Sequence, residues 1–524
     1  MSEPRPPRRL FDGVRRALWS DPAKRRMTEQ MPIIDDRLSQ SIIDLAMRVA
    51  EVMLSIGASA KEVTLAALRI TTAYGLRSVH VNVTFNSVIL SDHRNGTGDP
   101  ITLMRVVHSA APDHAKLQRL QTLVNDIESG LPLHEAIGQF HAIRRTPFMY
   151  RAGVLVAVQA LLAVAVAIMY GAGWVMLLSV LIAALGVALT QLGLARARVP
   201  LFFSQAAGAI VLTIMTVLIS WLGSAGIEPF VGVRSSLVVS CGIVLMLAGL
   251  AVVGAAQDAI DGFSLTAGGR ILDLTVMTMG VVVGILVGLE AARQLGVGLA
   301  LPSDPLAFGS PLQQVTGSVI IAAAVAILNG SGLRIVVVSA VLGALGWAGA
   351  YVLGTLNGMP SSAAVFGGAL VASFVGSVVS DRLRVPSVAV TTAAIIPMVP
   401  GAAVFRGLLG LVEAGTDLNH FILALDALFS AAMVGVALAA GATLGLVLGN
   451  PLRARIGGRR VALRAKARPV SGAGGTAAFE IVPTGAVKTK PIPAADVEEA
   501  PAAAEAEDPH PLTKPYDPTE DGPA

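Results

Sequence analysis

Ten long apolar runs, separated by short polar turns, occupy the chain between residues 151 and 449. Each is near the length of about twenty residues with which an α-helix crosses a lipid bilayer. The runs lie at 152–170, 174–194, 201–222, 236–256, 271–291, 313–329, 334–354, 361–380, 386–410 and 421–449. The pattern predicts ten transmembrane helices.

A different pattern precedes these runs, over residues 38–150. Apolar residues recur at helical spacing in "SIIDLAMRVAEVMLSIG", and Ser59 with Glu62 forms the capping box of a second helix. The segment "SVHVNVTF" alternates as a strand does, which puts three valines and Phe85 on one face. A strand "SVILS", a third near "MRVVHS", and helices at about 113–129 and 133–145 follow. This order predicts a small cytoplasmic α+β domain.

The two ends of the chain are polar. Residues 1–37 are basic, and "RRLFDGVRRALW" within them fits either a short interfacial helix or a disordered tail. They lack the apolar core of a signal peptide. Residues 450–524 open with a basic stop, "PLRARIGGRR", and continue as a segment rich in Ala, Pro and Glu. We expect that segment to be a disordered cytoplasmic tail.

The apolar runs form two sets of five that resemble each other. The segment "VAIMYGAG" at 166–173 returns as "VAILNGSG" at 325–332, and "SVLIAALGVA" at 179–188 returns as "SAVLGALGWA" at 339–348. Five such matches occur in the same order, so we predict repeats over 151–291 and 313–449, joined by an external loop at 292–312. Because five is odd, the two copies point in opposite directions, as in many transporters.

One predicted helix contains residues that interrupt helices. The ninth run includes "IIPMVPG", in which Pro397 and Pro400 lack backbone donors and Gly401 adds flexibility. The matching segment of the first repeat, "IVLMLAG", keeps only Gly249. Freed backbone groups are tolerated in lipid only where protein or a water-filled cavity satisfies them. The interruption therefore predicts either a binding site or a tolerated kink.

Charge is sparse and oriented within the apolar region. The chain is 54% apolar and 14% charged, and residues 152–450 hold 10 acidic residues, 9 arginines and no lysine. With the N-terminus inside, thirteen arginines flank the cytoplasmic ends of the spans and three the opposite ends. This bias predicts that both termini lie in the cytoplasm. The chain is therefore expected to be a multi-pass protein of the bacterial inner membrane. The net charge of +4 reflects these arginines and does not indicate nucleic-acid binding.

A small set of polar residues supplies candidates for a substrate or proton pathway. Gln257, Asp258, Asp261, Arg270 and Asp273 fall within seventeen residues that otherwise carry little charge. Ionisable groups at membrane depth usually mark a pathway or a paired contact. The alternative is an ordinary cytoplasmic loop with solvated charges.

Further candidates come from the repeat and from the interrupted helix. Asp426 matches Asp273, and a carboxylate in a partly dry cavity can carry protons. Arg406 follows the interruption and could bind a carboxylate. The neutral polar residues near the spans are secondary candidates, namely Gln205, Asn329, Thr391 and Thr392.

Motifs for catalysis, metal or cofactor binding do not occur in the sequence. Six of the eight histidines fall in the N-terminal region, without metal-ligand spacing. The single cysteine, Cys241, lies in an apolar run, and no phosphate-binding loop is present. We expect no enzyme activity, no cofactor and no direct use of ATP. A membrane-anchored hydrolase is the weakest of the alternatives.

Three segments resemble the bacterial threonine/serine exporter family. They are "MLSIGASAKEV" with "YGLRSVHVNVTFNSVILS", then "VGAAQDAIDGFSLTAGGRILD", and "AIIPMVPGAAVFRGL". The family pattern has Ser-Thr-x-Arg-Val where this chain has "SAKEV". The resemblance implies export of L-threonine and L-serine driven by protons. The alternative is an exporter of dicarboxylates such as succinate, with the same architecture. The sequence does not determine whether the protein forms a homo-oligomer.

Together these patterns predict a polytopic α-helical membrane protein. Its ten transmembrane helices form a 5+5 inverted repeat, preceded by a small cytoplasmic α+β domain. A zwitterionic amino acid needs an anion site and a cation site close together. Asp258, Asp273 or Asp426 could bind the ammonium group, and Arg406 or a helix N-terminus near Gly401 could bind the carboxylate.

Overall fold

The computed structural model describes most of the chain, with short gaps. The described residues are 36–93, 100–108, 112–246, 249–294, 308–383, 385–399, 401–414 and 417–467. The expected interfacial helix near the N-terminus and the tail beyond residue 467 lie outside this part, as does most of the predicted external loop.

Residues 36–145 form the N-terminal domain, a three-stranded sheet with four helices. The elements are α1 (Asp36–Ser55), α2 (Ala60–Ala73), β1 (Val79–Thr84), β2 (Ser87–Asp92), β3 (Ile101–Val106), α3 (His114–Glu128) and α4 (Leu133–Arg145). The strands pair antiparallel in the order β1-β2-β3. Alternation buries Val79 and Val83 in the domain core while His80 faces outward.

Two details of this domain differ from the sequence prediction. The third strand begins at Ile101, three residues before the predicted "MRVVHS" segment. Phe85 belongs to the turn between β1 and β2 rather than to the strand face. In this turn the Phe85 ring lies against Gly269, in a helix that follows much later in the chain.

The remaining helices contain the predicted spans. They are α5 (Ala152–Met169), α6 (Trp174–Arg196), α7 (Leu201–Ser224), α8 (Ser235–Met246), α9 (Gly249–Ile260), α10 (Ser264–Gln294), α11 (Pro311–Leu328), α12 (Leu333–Tyr351), α13 (Ser361–Leu383), α14 (Ser387–Ile395), α15 (Gly401–Glu413) and α16 (Leu418–Ala467). A π-helical turn, Val352–Leu356, extends α12. The last helix continues well beyond the predicted basic stop at residue 450.

Among the described residues, eight helices are long and apolar enough to cross a membrane. The other two predicted spans are represented by shorter helices, α8 with α9 and α14 with α15. Residues 247–248, between α8 and α9, are outside the described part. Between α14 and α15 the chain forms a 3₁₀ turn at Ile396–Met398, followed by extended backbone at Val399.

The two sets of helices pack in corresponding ways. The first helices of each set, α5 and α11, lie against each other, and in both sets consecutive long helices are neighbours. Gly280, Gly284 and Gly288 of α10 meet α7, and Gly441, Gly445 and Gly449 of α16 meet α13. Glycines spaced by four let helix backbones approach closely in a membrane. The same packing device therefore occurs twice, between α10 and α7 and between α16 and α13.

Candidate functional site

The N-terminal domain meets the first set of helices through what we call the α2 contact, formed by residues 58–61 with Asp258, Asp261 and Arg270. The Asp258 carboxylate is fully buried at the start of α2 and accepts the Ala60 amide hydrogen at 3.4 Å. Arg270 pairs with Asp258 at 2.8 Å and donates to the Ala58 carbonyl oxygen at 3.3 Å. A negative charge at a helix N-terminus is favourable because the first amides lack acceptors within the helix.

Apolar and surface contacts enlarge the α2 contact. The Phe263 ring packs against the hydrophobic core of the N-terminal domain. A Cβ atom on Gly269 would lie 2.5 Å from Cγ of Phe85, so only glycine fits below this ring. Lys61 Nζ lies 2.7 Å from Asp261 Oδ1, in a pair whose lysine is half exposed. Three of the predicted pathway residues thus form this contact, and a fourth, Gln257, is half-buried directly before Asp258 in α9.

A second set of bonds, the α3 contact, joins the N-terminal domain to the turn between α11 and α12. The His114 amide donates to the Asn329 carbonyl oxygen at 2.8 Å, and His114 Nδ1 lies 3.0 Å from Ser331 Oγ. The Tyr150 hydroxyl donates to the Ser331 carbonyl oxygen at 2.7 Å. Gly330 has a positive φ of 69° beneath Phe148, a conformation that favours glycine.

Burial changes the acid–base properties of one residue near each contact. It raises the pKa of the Glu62 carboxyl, next to Lys61, from 4.5 to about 7, against a weaker lowering by the Ser59 backbone. Oε2 of Glu62 is fully buried, and Oε1 accepts a hydrogen bond from Gln121 at 3.3 Å. Burial also lowers the pKa of His114 to about 4, so the imidazole at the α3 contact is neutral near pH 7.

The interrupted helix packs within the bundle, against α11 and α12. Pro397 sits in the 3₁₀ turn, and the amide of Val399 donates to the Ile396 carbonyl oxygen at 3.0 Å. The carbonyl of Ala393 has no α-helical donor, because that donor would be the nitrogen of Pro397. Helix α15 then starts at Gly401. The predicted break is therefore present, while Pro400 lies outside the described residues.

Three glutamines form a hydrogen-bonded row across α5, α6 and α7, which we call the amide row. Gln159 Nε2 donates to Gln191 Oε1 at 2.9 Å, and Gln191 Nε2 donates to Gln205 Oε1 at 3.1 Å. A Cβ atom on Gly208 would meet both Met246 Cε at 3.0 Å and Gln191 Nε2 at 3.4 Å. The predicted candidate Gln205 is thus hydrogen-bonded to a neighbouring helix. The sequence did not indicate Gln159 and Gln191, because each is a single amide in an apolar run.

The remaining predicted residues are dispersed. Asp273 and Asp426 are exposed on the surfaces of α10 and α16 and do not meet the α2 contact. Arg406 is half-buried in α15. Thr391 is buried and Thr392 half-buried in α14, on the helix that leads to the break. No group of three or more metal-binding side chains occurs in the part of the chain that the structure describes.

Comparison with known proteins connects this architecture to a family of transporters. Models of threonine/serine exporters match residues 44–292 and, under the description "Threonine/Serine exporter, ThrE", residues 314–448. The chain is 32% identical to a "Probable threonine/serine exporter" of Mycobacterium tuberculosis, over 80% of this chain and 78% of that protein. It is 27% identical to a "Threonine/serine exporter" of Corynebacterium glutamicum, over 79% and 83% of the two chains. No solved structure matches.

Proposed function

Because the chain belongs to the threonine/serine exporter family, we propose that it is a secondary active exporter of L-threonine and L-serine in the bacterial inner membrane. The observation that carries the proposal is the extent of the similarity. It covers the N-terminal domain, the α2 contact and the interrupted helix, in relatives named for these two amino acids. The names of the relatives favour amino acids over a dicarboxylate.

Export proceeds by alternating access of two inverted halves, α5–α10 and α11–α16. This part of the proposal is supported by the paired glycine stripes of α10 and α16 and by the packing of α5 on α11. Repeats of opposite direction give a transporter two related conformations, one open to each side.

The N-terminal domain acts as a gate on its side of the bundle. Its α2 contact holds the turn between α9 and α10, in the first half, while its α3 contact holds the turn between α11 and α12, in the second half. A single folded domain bound to both halves limits their separation on this side. One of the two contacts must therefore open before substrate enters from the cytoplasm.

The proton gradient supplies the driving force. The sequence has no phosphate-binding loop, so ATP drive by this chain is not supported. Asp273 and Asp426 remain the carboxylates that we propose for proton transfer, at matching positions of the two halves. The break between α14 and α15, with Arg406 one to two turns beyond it, is our proposed site for the substrate carboxylate.

Efflux from dipeptide-loaded cells tests this function. Cells lacking or overproducing the protein are fed threonine- or serine-containing dipeptides, and external amino acids are followed with and without an uncoupler. We expect faster efflux of both amino acids from overproducing cells, and its collapse with the uncoupler. Efflux that persists after uncoupling would contradict the proton coupling but not the substrate. Release of succinate, with unchanged threonine and serine, would instead contradict the substrate.

A further inference from the structure

The amide row faces the interior of the bundle. Gln191 lies one helical turn after the buried Val187, and Gln205 lies one turn before the buried Ala209. Each glutamine therefore continues the buried stripe of its own helix. All three are nonetheless half-buried rather than buried. Each glutamine therefore keeps a partly accessible amide beside the buried stripe of its helix.

The amide row lies near the end of the bundle from which an exported substrate would enter. Gln191 is five residues from the end of α6 at Arg196, and Gln205 is four residues from the start of α7 at Leu201. At 1.5 Å per residue the row lies roughly 6–8 Å below this end. Helix α5, which carries Gln159, begins on the same side, directly after the N-terminal domain.

The amide row occurs in only one half of the molecule. The glycine stripes that close the bundle are present in both halves. At the offset of the internal repeat, 159 residues for the first helix of each set and 160 for the next two, the row is replaced by Ser318, Tyr351 and Val365. Helix packing is served by the features that both halves share. A row that is confined to one half, and whose side chains stay partly accessible, indicates a role beyond packing.

We propose that the amide row recognises the side-chain hydroxyl of the amino acid as it enters, which rests on the proposed export of threonine and serine. Among the described residues, no protein atom accepts a hydrogen from the Gln205 amide nitrogen, and one Gln191 amide hydrogen is equally unused. A hydroxyl both donates and accepts, so it pairs with these amides in place of water. The methyl group of valine has the shape of the threonine hydroxyl and leaves the amides unpaired.

The test compares threonine with valine in proteoliposomes that contain the purified full-length protein. Gln191→Met and Gln205→Met keep the side-chain volume and remove the hydrogen-bonding atoms. Gln314→Met is the matched control, because Gln314 of α11 accepts a hydrogen bond from Trp347 of α12 at 3.2 Å, outside the row. We expect the threonine preference over valine to fall about tenfold or more in the row variants, through the KM for threonine. The control should keep the wild-type ratio.

The outcomes separate this inference from the function on which it rests. Wild-type protein that carries neither threonine nor serine would overturn the proposed function itself. Wild-type transport of threonine with an unchanged ratio in both row variants would overturn the recognition role and leave a packing role. Because the loss of a side-chain hydrogen bond can reduce the yield of folded protein, Gln205→Asn is measured as a second variant. In addition, the protection of the wild-type protein against thermal unfolding by threonine is compared with its protection by valine. An intermediate ratio for asparagine supports recognition, and equal protection by both amino acids in wild-type protein refutes it.

Discussion

Removing the charge of Asp258 should open the α2 contact without unfolding the N-terminal domain. In Asp258→Asn the side chain can still accept the Ala60 amide hydrogen, but Arg270 loses its counter-ion. Removing one partner of a buried ion pair costs about 3–5 kcal/mol. The Arg270 side chain is 20% exposed and keeps its hydrogen bond to the Ala58 carbonyl oxygen. We therefore take the lower limit of this energy range. About 3 kcal/mol raises the open population roughly 100-fold.

Hydrogen exchange measures this opening, because the Ala60 amide itself is one of the contact's hydrogen bonds. We expect the exchange of the first turn of α2 to accelerate roughly 100-fold in Asp258→Asn, while α4 keeps its rate. Asp261→Asn is the matched control on the same turn. Its partner Lys61 is 49% exposed, and a surface pair contributes at most about 1 kcal/mol, or roughly fivefold.

Two results would refute this reasoning. Equal and small acceleration in the Asp258 and Asp261 variants would mean that the buried pair does not hold the contact. Acceleration throughout α1 to α4 would mean that Asp258 supports folding of the domain rather than its docking.

Two further predictions concern pH and packing. The folded domain keeps a proton on Glu62 up to about pH 7, whereas the unfolded chain loses it above about pH 4.5, so stability falls between these values by about 3 kcal/mol. Glu62→Gln should abolish that fall in thermal unfolding measured at a series of pH values, and a fall of unchanged size would contradict it. In α10, a Cβ atom on Gly284 would lie 2.2 Å from the Ala206 carbonyl oxygen, so Gly284→Ala should destabilise the detergent-solubilised protein by about 3 kcal/mol. Gly268→Ala on the same helix meets nothing within 4 Å and should be neutral or slightly stabilising; equal loss in both variants would disprove the packing account.

Local signals predicted most of the fold. Apolar run length marked the helices, alternation marked the strands, and Ser59 caps α2 as its spacing with Glu62 indicates. Pro397 predicted the break for a reason that holds in any helix, the missing backbone donor. The glycines at 280, 284 and 288 and at 441, 445 and 449 are equally legible in the sequence, and their spacing would have predicted the paired packing.

The site was less predictable, because its signals are complete only when distant segments meet. The Ser59 cap and the Asp258 carboxylate serve the same helix end but lie about 200 residues apart. Neither segment contains a sequence signal that indicates its contact with the other. Asp258 and Asp273 look alike in the sequence, yet one is buried and the other exposed. The bundle helices are apolar on all sides, so periodicity does not tell which face turns inward.

Locking both contacts with disulfides tests the central claim that the halves must separate beside the N-terminal domain. In a Cys241→Ala background, Phe85→Cys with Gly269→Cys links the α2 contact, where the Gly269 Cβ position lies 2.5 Å from Phe85 Cγ. His114→Cys with Ser331→Cys links the α3 contact, where the present side chains lie 3.0 Å apart. Reduced protein of each variant is the matched control.

The measurement is threonine transport in proteoliposomes that contain purified protein with one lock or both, first oxidised with diamide to form the disulfides and then treated with a reductant. The account predicts that either lock alone permits transport, because the other contact can open. Both locks together should reduce threonine transport at least tenfold, and the reductant should restore it. Transport at the wild-type rate through the doubly locked, oxidised protein would contradict the gate that we assign to the N-terminal domain.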